Sequence, residues 1–140
     1  MVDILAALVA AAAANAGITT EVGTRVHGME LPPSEAANMP RKNLVLAWAG
    51  GLPKNNYSGI TRPRVDAISY GATYQEAEAV RRAATDFLSQ IGNPAPLFQS
   101  SVKISCASQS GGPVPFRDPE KRWPVIAESW IVTAHEEVAA

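Results

Sequence analysis

Two histidines, His27 and His135, and one cysteine, Cys106, are the residues of this chain best suited to proton transfer or nucleophilic attack. A catalytic set needs a nucleophile, a base and an orienting group within reach of one another. Each histidine falls on a predicted strand, at 20–27 or 123–135, with no such set at a recognisable spacing, so both read as structural. Cys106 alternates with Val102 and Ile104 on the predicted buried face of a strand at 101–108, where cysteine behaves as a small hydrophobe. Ser108-Gln109-Ser110-Gly111-Gly112 lacks the glycine that precedes a nucleophile elbow and reads as a turn. Gly50-Gly51-Leu52-Pro53-Lys54 lacks the spacing that wraps amides around phosphate. The carboxylate pairs Glu76/Glu78 and Glu136/Glu137 read as a solvated helix end and a tail. A single cysteine allows neither an internal disulfide nor a zinc site built on paired cysteines. The expectation is no catalytic residue, no cofactor and no metal.

The elements that would position any site follow from length and pattern. The 140 residues suit one domain able to bury its own core. Apolar residues at 46% and charged residues at 18% argue for a folded chain rather than a disordered one. Twelve basic and thirteen acidic residues give a net charge of -1, which leaves no cationic excess for clamping nucleic acid. The longest apolar run, Ile4 to Ala14, is too short to span a bilayer, and Asp3 without Lys or Arg before it does not suit a secretory leader.

Residues 3–16 read as an alanine-rich helix, with Asp3 near its positive end and Gly17 as its C-cap. Residues 20–27 alternate as a strand. Residues 43–50 are apolar on both faces, which requires cover on both sides, from helices or from a neighbouring subunit. Residues 62–70 form a third strand with Val65 and Ala67 opposite Arg64, Asp66, Ile68 and Tyr70. Thr73 and Glu76 then make a capping box that starts a helix at residue 74. Its apolar face runs through Ala77, Val80, Ala84, Phe87, Leu88 and Ile91, with Glu78, Arg81, Arg82 and Asp86 outward, and Gly92 and Pro94 end it. Strands at 101–108 and 123–135 complete the order α-β-β-β-α-β-β. The fold class expected is α+β, a mainly antiparallel sheet of about five strands with two helices on one face. Three long connections, 28–42, 51–61 and 109–122, are candidates for contact with partners.

The surface residues that stand out are aromatic or charged. Tyr57 lies in the second connection, Phe116, Arg117, Asp118, Glu120 and Arg122 in the third. Aromatic residues and arginine are the usual anchors of protein interfaces. Trp123 and Trp130 lie on the last strand, where core packing is the plainer role for Trp130.

The run Pro63-Arg64-Val65-Asp66-Ala67-Ile68-Ser69-Tyr70-Gly71-Ala72-Thr73, followed by Glu76-Ala77 and an amphipathic helix, resembles the tail terminator, or tail completion, proteins of long-tailed bacteriophages, the lambda terminator's group. Pro40-Arg41-Lys42-Asn43-Leu44-Val45-Leu46 fits the same pattern, so the resemblance spans roughly residues 40–91. It implies a single terminator-like domain over 1–140, in a hexameric ring at the head-proximal end of the tail. Such a ring ends tube polymerisation and joins the tail to the neck. The partners implied are further copies of the chain, the tail tube protein, a neck or stopper protein, and DNA passing through the lumen without specific binding. No membrane is implied. The location implied is the virion tail or neck, after synthesis in the bacterial cytoplasm. In a head-to-tail ring, Arg62 and Arg64 of one subunit facing Asp66, Asp118 or Glu120 of the next would set register.

Two other readings compete. One is a head-to-tail adaptor or stopper of the same neck. The other is a small cofactor-free enzyme using His27 or His135 as a base beside Asp66.

Overall fold

The computed structural model describes residues 4–52, 60–93, 95–99 and 102–136. Asp3, Pro53, Lys54, Tyr57, Pro94 and Glu137, named above, lie outside them. The element order is α1 (Ile4–Ala14), α2 (Ala16–Val22), β1 (Val26–Gly28), α3 (Pro33–Ala36), β2 (Asn43–Leu52), β3 (Ile60–Tyr70), α4 (Tyr74–Gln90), β4 (Leu97–Gln99), β5 (Val102–Arg117) and β6 (Pro124–Glu136). The strands form one sheet in the order β1-β2-β3-β6-β5-β4. All neighbours are antiparallel except β1 and β2. The α+β class holds, with six described strands where about five were expected, and four helices where two were expected.

The first departure from the sequence reading is at Asn15. Alanine-rich α1 buries Leu5, Ala7, Leu8, Ala11 and Ala12. The chain then turns by 79° into α2. Asn15 makes the break because its side-chain oxygen accepts from Ile18 N–H at 3.1 Å, capping a new helix. Gly17 therefore lies in the first turn of α2, and Gly23, at φ 63°, is the cap that ends it. Residues 20–22 are helical although their alternation suggested a strand. Ile18 and Val22, four apart, are both buried, so a helical spacing hid inside the alternation.

Cover on both faces of β2 is supplied within the chain over its first half, where Asn43 to Leu46 are all buried. Leu44 and Leu46 belong to the core on the side of α1. On the other side the segment carrying α3 is tied down beside Val45. Asn43 Nδ2 donates to Glu35 Oε1 at 3.0 Å, and Arg41 grips the same carboxylate through Nε at 2.6 Å and Nη2 at 2.7 Å. The connection 28–42 is thus a strap on its own sheet.

β3 and α4 agree with their sequence reading. Val65, Ala67 and Ser69 are buried, and Thr73 Oγ1 accepts from Glu76 N–H at 3.2 Å to start α4. All six residues of the expected apolar face of α4 are buried. Arg81 is the exception on its outward face. Its side chain turns in and donates to Glu128 Oε1 of β6 at 2.6 Å. Gly71 owes its identity to proximity: a Cβ there would sit 2.5 Å from Ala77 N and 2.9 Å from Glu76 C, both backbone atoms. Gly71→Ala is expected to cost about 1–3 kcal/mol, as overpacked sites do, and urea titration of the two proteins would measure it. An unchanged midpoint would mean that the helix start can move aside freely.

β5 is the largest departure. Residues 109–122, expected to be a connection, mostly continue the strand to Arg117 and return through a short turn into β6. Serines, glycines and prolines masked this strand, and bulges after Ile104, Gln109 and Gly111 absorb them. The first bulge also moves Cys106. It pairs with Thr133, which alternates with buried Val132 and Ala134, and is exposed, whereas the uninterrupted alternation placed it in the core.

Candidate assembly surface

The residues singled out from the sequence separate into two groups. Arg62, Arg64 and Asp66 lie on the face of β3 turned away from α4, since their neighbours Val65 and Ala67 point into the core. Arg64 Nη2 donates to Ser129 Oγ at 2.9 Å, and that hydroxyl donates to Asp66 Oδ1 at 2.6 Å. Asp66 is thereby engaged within its own subunit. Arg62 is exposed.

Phe116, Arg117, Asp118, Glu120 and Arg122 gather at the β5–β6 turn. Asp118 organises it: its Oδ1 accepts from Glu120 N–H at 3.0 Å and Lys121 N–H at 2.8 Å, and its N–H donates to Trp123 O at 2.9 Å. Arg122 adopts φ 62°, and its carbonyl accepts from Arg117 Nη1 at 3.0 Å. Arg117 lies over the Tyr74 ring at 5.2 Å, a cation–π contact. Trp123 meets Tyr70 edge-on, with ring centroids 6.5 Å apart. Burial, then the charge of Asp118, raises the Tyr70 pKa above the ordinary tyrosine value. The turn therefore stands against the Tyr70-Gly71 corner and the first turn of α4, the same corner that carries the sequence resemblance.

A groove of about 690 Å³ opens beside this corner, and sequence reasoning missed it. Its wall is α4 at Tyr74, Glu78, Ala79 and Arg82, and its other side is Pro115 of β5 and Ile126 of β6. The lining is mainly apolar, and Arg82, with its side chain 73% exposed, stands on the rim. Read along the helix these residues form an ordinary solvated face. Tyr74 and Ala79 on that face were the only sign, and the groove needs β5 to continue as a strand through Pro115.

Phe116 is 41% exposed, and Trp48, on β2 toward the other side of the sheet, is 39% exposed. Trp130 is buried and donates from Nε1 to Glu128 Oε2 at 3.1 Å, a structural position. His27 shares a hydrogen bond of 3.0 Å with Asn43 Oδ1, and His135 lies near the other end of the sheet, opposite Lys103. No hydrogen bond among the described residues joins either histidine to Asp66. No three His, Cys, Asp or Glu side chains among the described residues converge as a metal site. No single described helix is long and apolar enough to cross a membrane.

Neither a protein-family model nor a curated protein matches the chain. Among solved structures, a chain of the virion of a native gene transfer agent (GTA) particle is similar in fold, with a TM-score of 0.62 and 18% identity over 94% of each chain.

Proposed function

We propose that this chain is a structural virion subunit, a tail terminator that closes into a ring at the head-proximal end of a phage-like tail. The observation that carries this reading is the likeness in fold, over 94% of both chains, to a component of a gene transfer agent virion. The strand, tight corner and capped helix at residues 63–77 support it, because they are the segment that resembles terminators and they stand beside the β5–β6 turn. In this reading the ring, a hexamer, blocks further tube subunits with one face and offers a neck or stopper protein the other. The mechanism is geometric and needs no cofactor or catalysis. DNA passes through the lumen unread, in keeping with a net charge of -1.

Electron microscopy of the purified protein, alone and mixed with tail tubes, tests this. The expected images show closed rings, and tubes capped at one end. Rings that bind a portal or connector but leave tubes growing would point instead to an adaptor or stopper. A monomer that never joins a tube would overturn the proposal.

A further inference from the structure

The two margins of the sheet are each half covered, at opposite ends. β1 pairs with β2 only at Leu44–Leu46, so on that side β2 is bare from Ala47 to Leu52 among the described residues. β4 pairs with β5 only at Val102–Ile104, so β5 is bare from Cys106 to Arg117 among the described residues. Because β2 runs with β6 and β5 against it, the two bare margins are antiparallel to each other. They are also unlike, which is what a head-to-tail contact requires.

We infer that the groove beside Pro115 receives Trp48 of a second copy of this chain, and that this is the contact that propagates the ring. The inference rests on the ring reading above and names its contact. Trp48 pairs with Val65, a core residue, so its side chain lies on the helix-bearing face. Pro115 pairs with buried Ile126 and lies on that same face. Setting the bare half of β2 beside the bare half of β5 with Trp48 opposite Pro115 brings the indole to the groove. It also sets Leu46, and with it Gly28 at the end of the incoming β1, level with Arg117, so that the rest of β1 falls beyond the end of β5. The chemistry matches. Ala79 and Ile126 offer an apolar bed, Arg82 a cation for the ring face, and Gln75 an amide oxygen for the indole N–H.

Strand addition alone would be indiscriminate. Pro113 and Pro115 carry no N–H donor and the bulges twist β5, so side-chain fit selects the partner. Trp48 is the exposed aromatic of the other margin and serves as the anchor.

Sedimentation and native mass measurement on wild type, Trp48→Ala, Ala79→Arg and their mixture test the contact, with circular dichroism to show that each variant is folded. Each variant alone is expected to lose assembly, with association weakened about a hundredfold, as for an interface hot spot. Trp48→Phe should restore part of it. The mixture is expected to stop at a 1:1 dimer, because each variant keeps one intact half of the contact. Wild-type rings that persist in folded Trp48→Ala would overturn this inference and leave the ring standing. So would a mixture that yields no dimer. A wild type that stays monomeric at the highest soluble concentration would remove ring and contact together.

Discussion

Arg81→Leu is expected to lower folding stability by about 3–5 kcal/mol, the usual consequence of leaving one charge of a buried pair behind. Glu128 is 2% exposed, on the core face of β6. Its carboxylate accepts from Arg81 Nη1 at 2.6 Å, Thr85 Oγ1 at 2.9 Å and Trp130 Nε1 at 3.1 Å. Arg81 also reaches Glu78 through two nitrogens, so one guanidinium joins the outer face of α4 to the sheet beneath. Removing it leaves Glu128 with two neutral donors in the core, and leaves Glu78 with Arg82 at 3.4 Å. The second substitution separates charge from packing. Arg81→Leu with Glu128→Gln should recover most of the loss, because an amide can still accept from Thr85 or Trp130 without an unpaired charge. Denaturant titration of the four proteins completes the cycle. Equal stability for the single and double variants would show that the lost packing, and not the stranded charge, sets the cost.

Acid should loosen the strap over β1 and β2 before it opens the rest of the sheet. The hydrogen bonds from Arg41 are the largest influence on Glu35. Against the opposing effect of burial, and with help from Asn43 and the charges of Arg41 and Arg25, they bring its pKa from 4.5 down to about 2. A folded-state pKa below the unfolded one means stability that is present above about pH 4.5 and is lost as pH falls toward about 2. Glu35→Gln should therefore be less stable than wild type at neutral pH, and the two should converge near pH 2. Glu78 is lowered as well, chiefly by Arg81, so the variant keeps a residual slope. Thermal unfolding from pH 2 to 7 measures both curves. Parallel curves for the two proteins would refute the assignment to Glu35. Arg41 has its side chain 42% exposed, so added salt should weaken the effect.

The elements legible in the sequence were those in which one signal acted alone. α4 had a capping threonine, a regular apolar stripe and closing glycine, and β3 alternated cleanly. Where two signals coincided, the reading went astray. Val22 belonged equally to an alternating run and to a pair four residues from Ile18, and the Asn15 cap decided between them. In β5 each bulge inverts the alternation, so no single period describes Val102 to Arg117, and Cys106 changes face. The charged residues of the candidate surface were found by type, but their partners were not. Ser129 stands between Arg64 and Asp66 from 63 residues away in the chain. The groove escaped notice because its two walls come from segments that each looked solvated.

The Asp118 turn has one more consequence. Its side chain already holds Glu120 and Lys121, and Arg117 is already stacked on Tyr74 and bonded to Arg122. Ordering a free loop at an interface costs roughly 0.5–1.5 kcal/mol for each long side chain immobilised. Here that ordering entropy is spent during folding, so a partner meets a surface that is stiff before contact. Docking at this turn would then resemble rigid-body capture. Its on-rate would be set by collision geometry, and it would show little of the heat-capacity signature of a segment that folds as it binds.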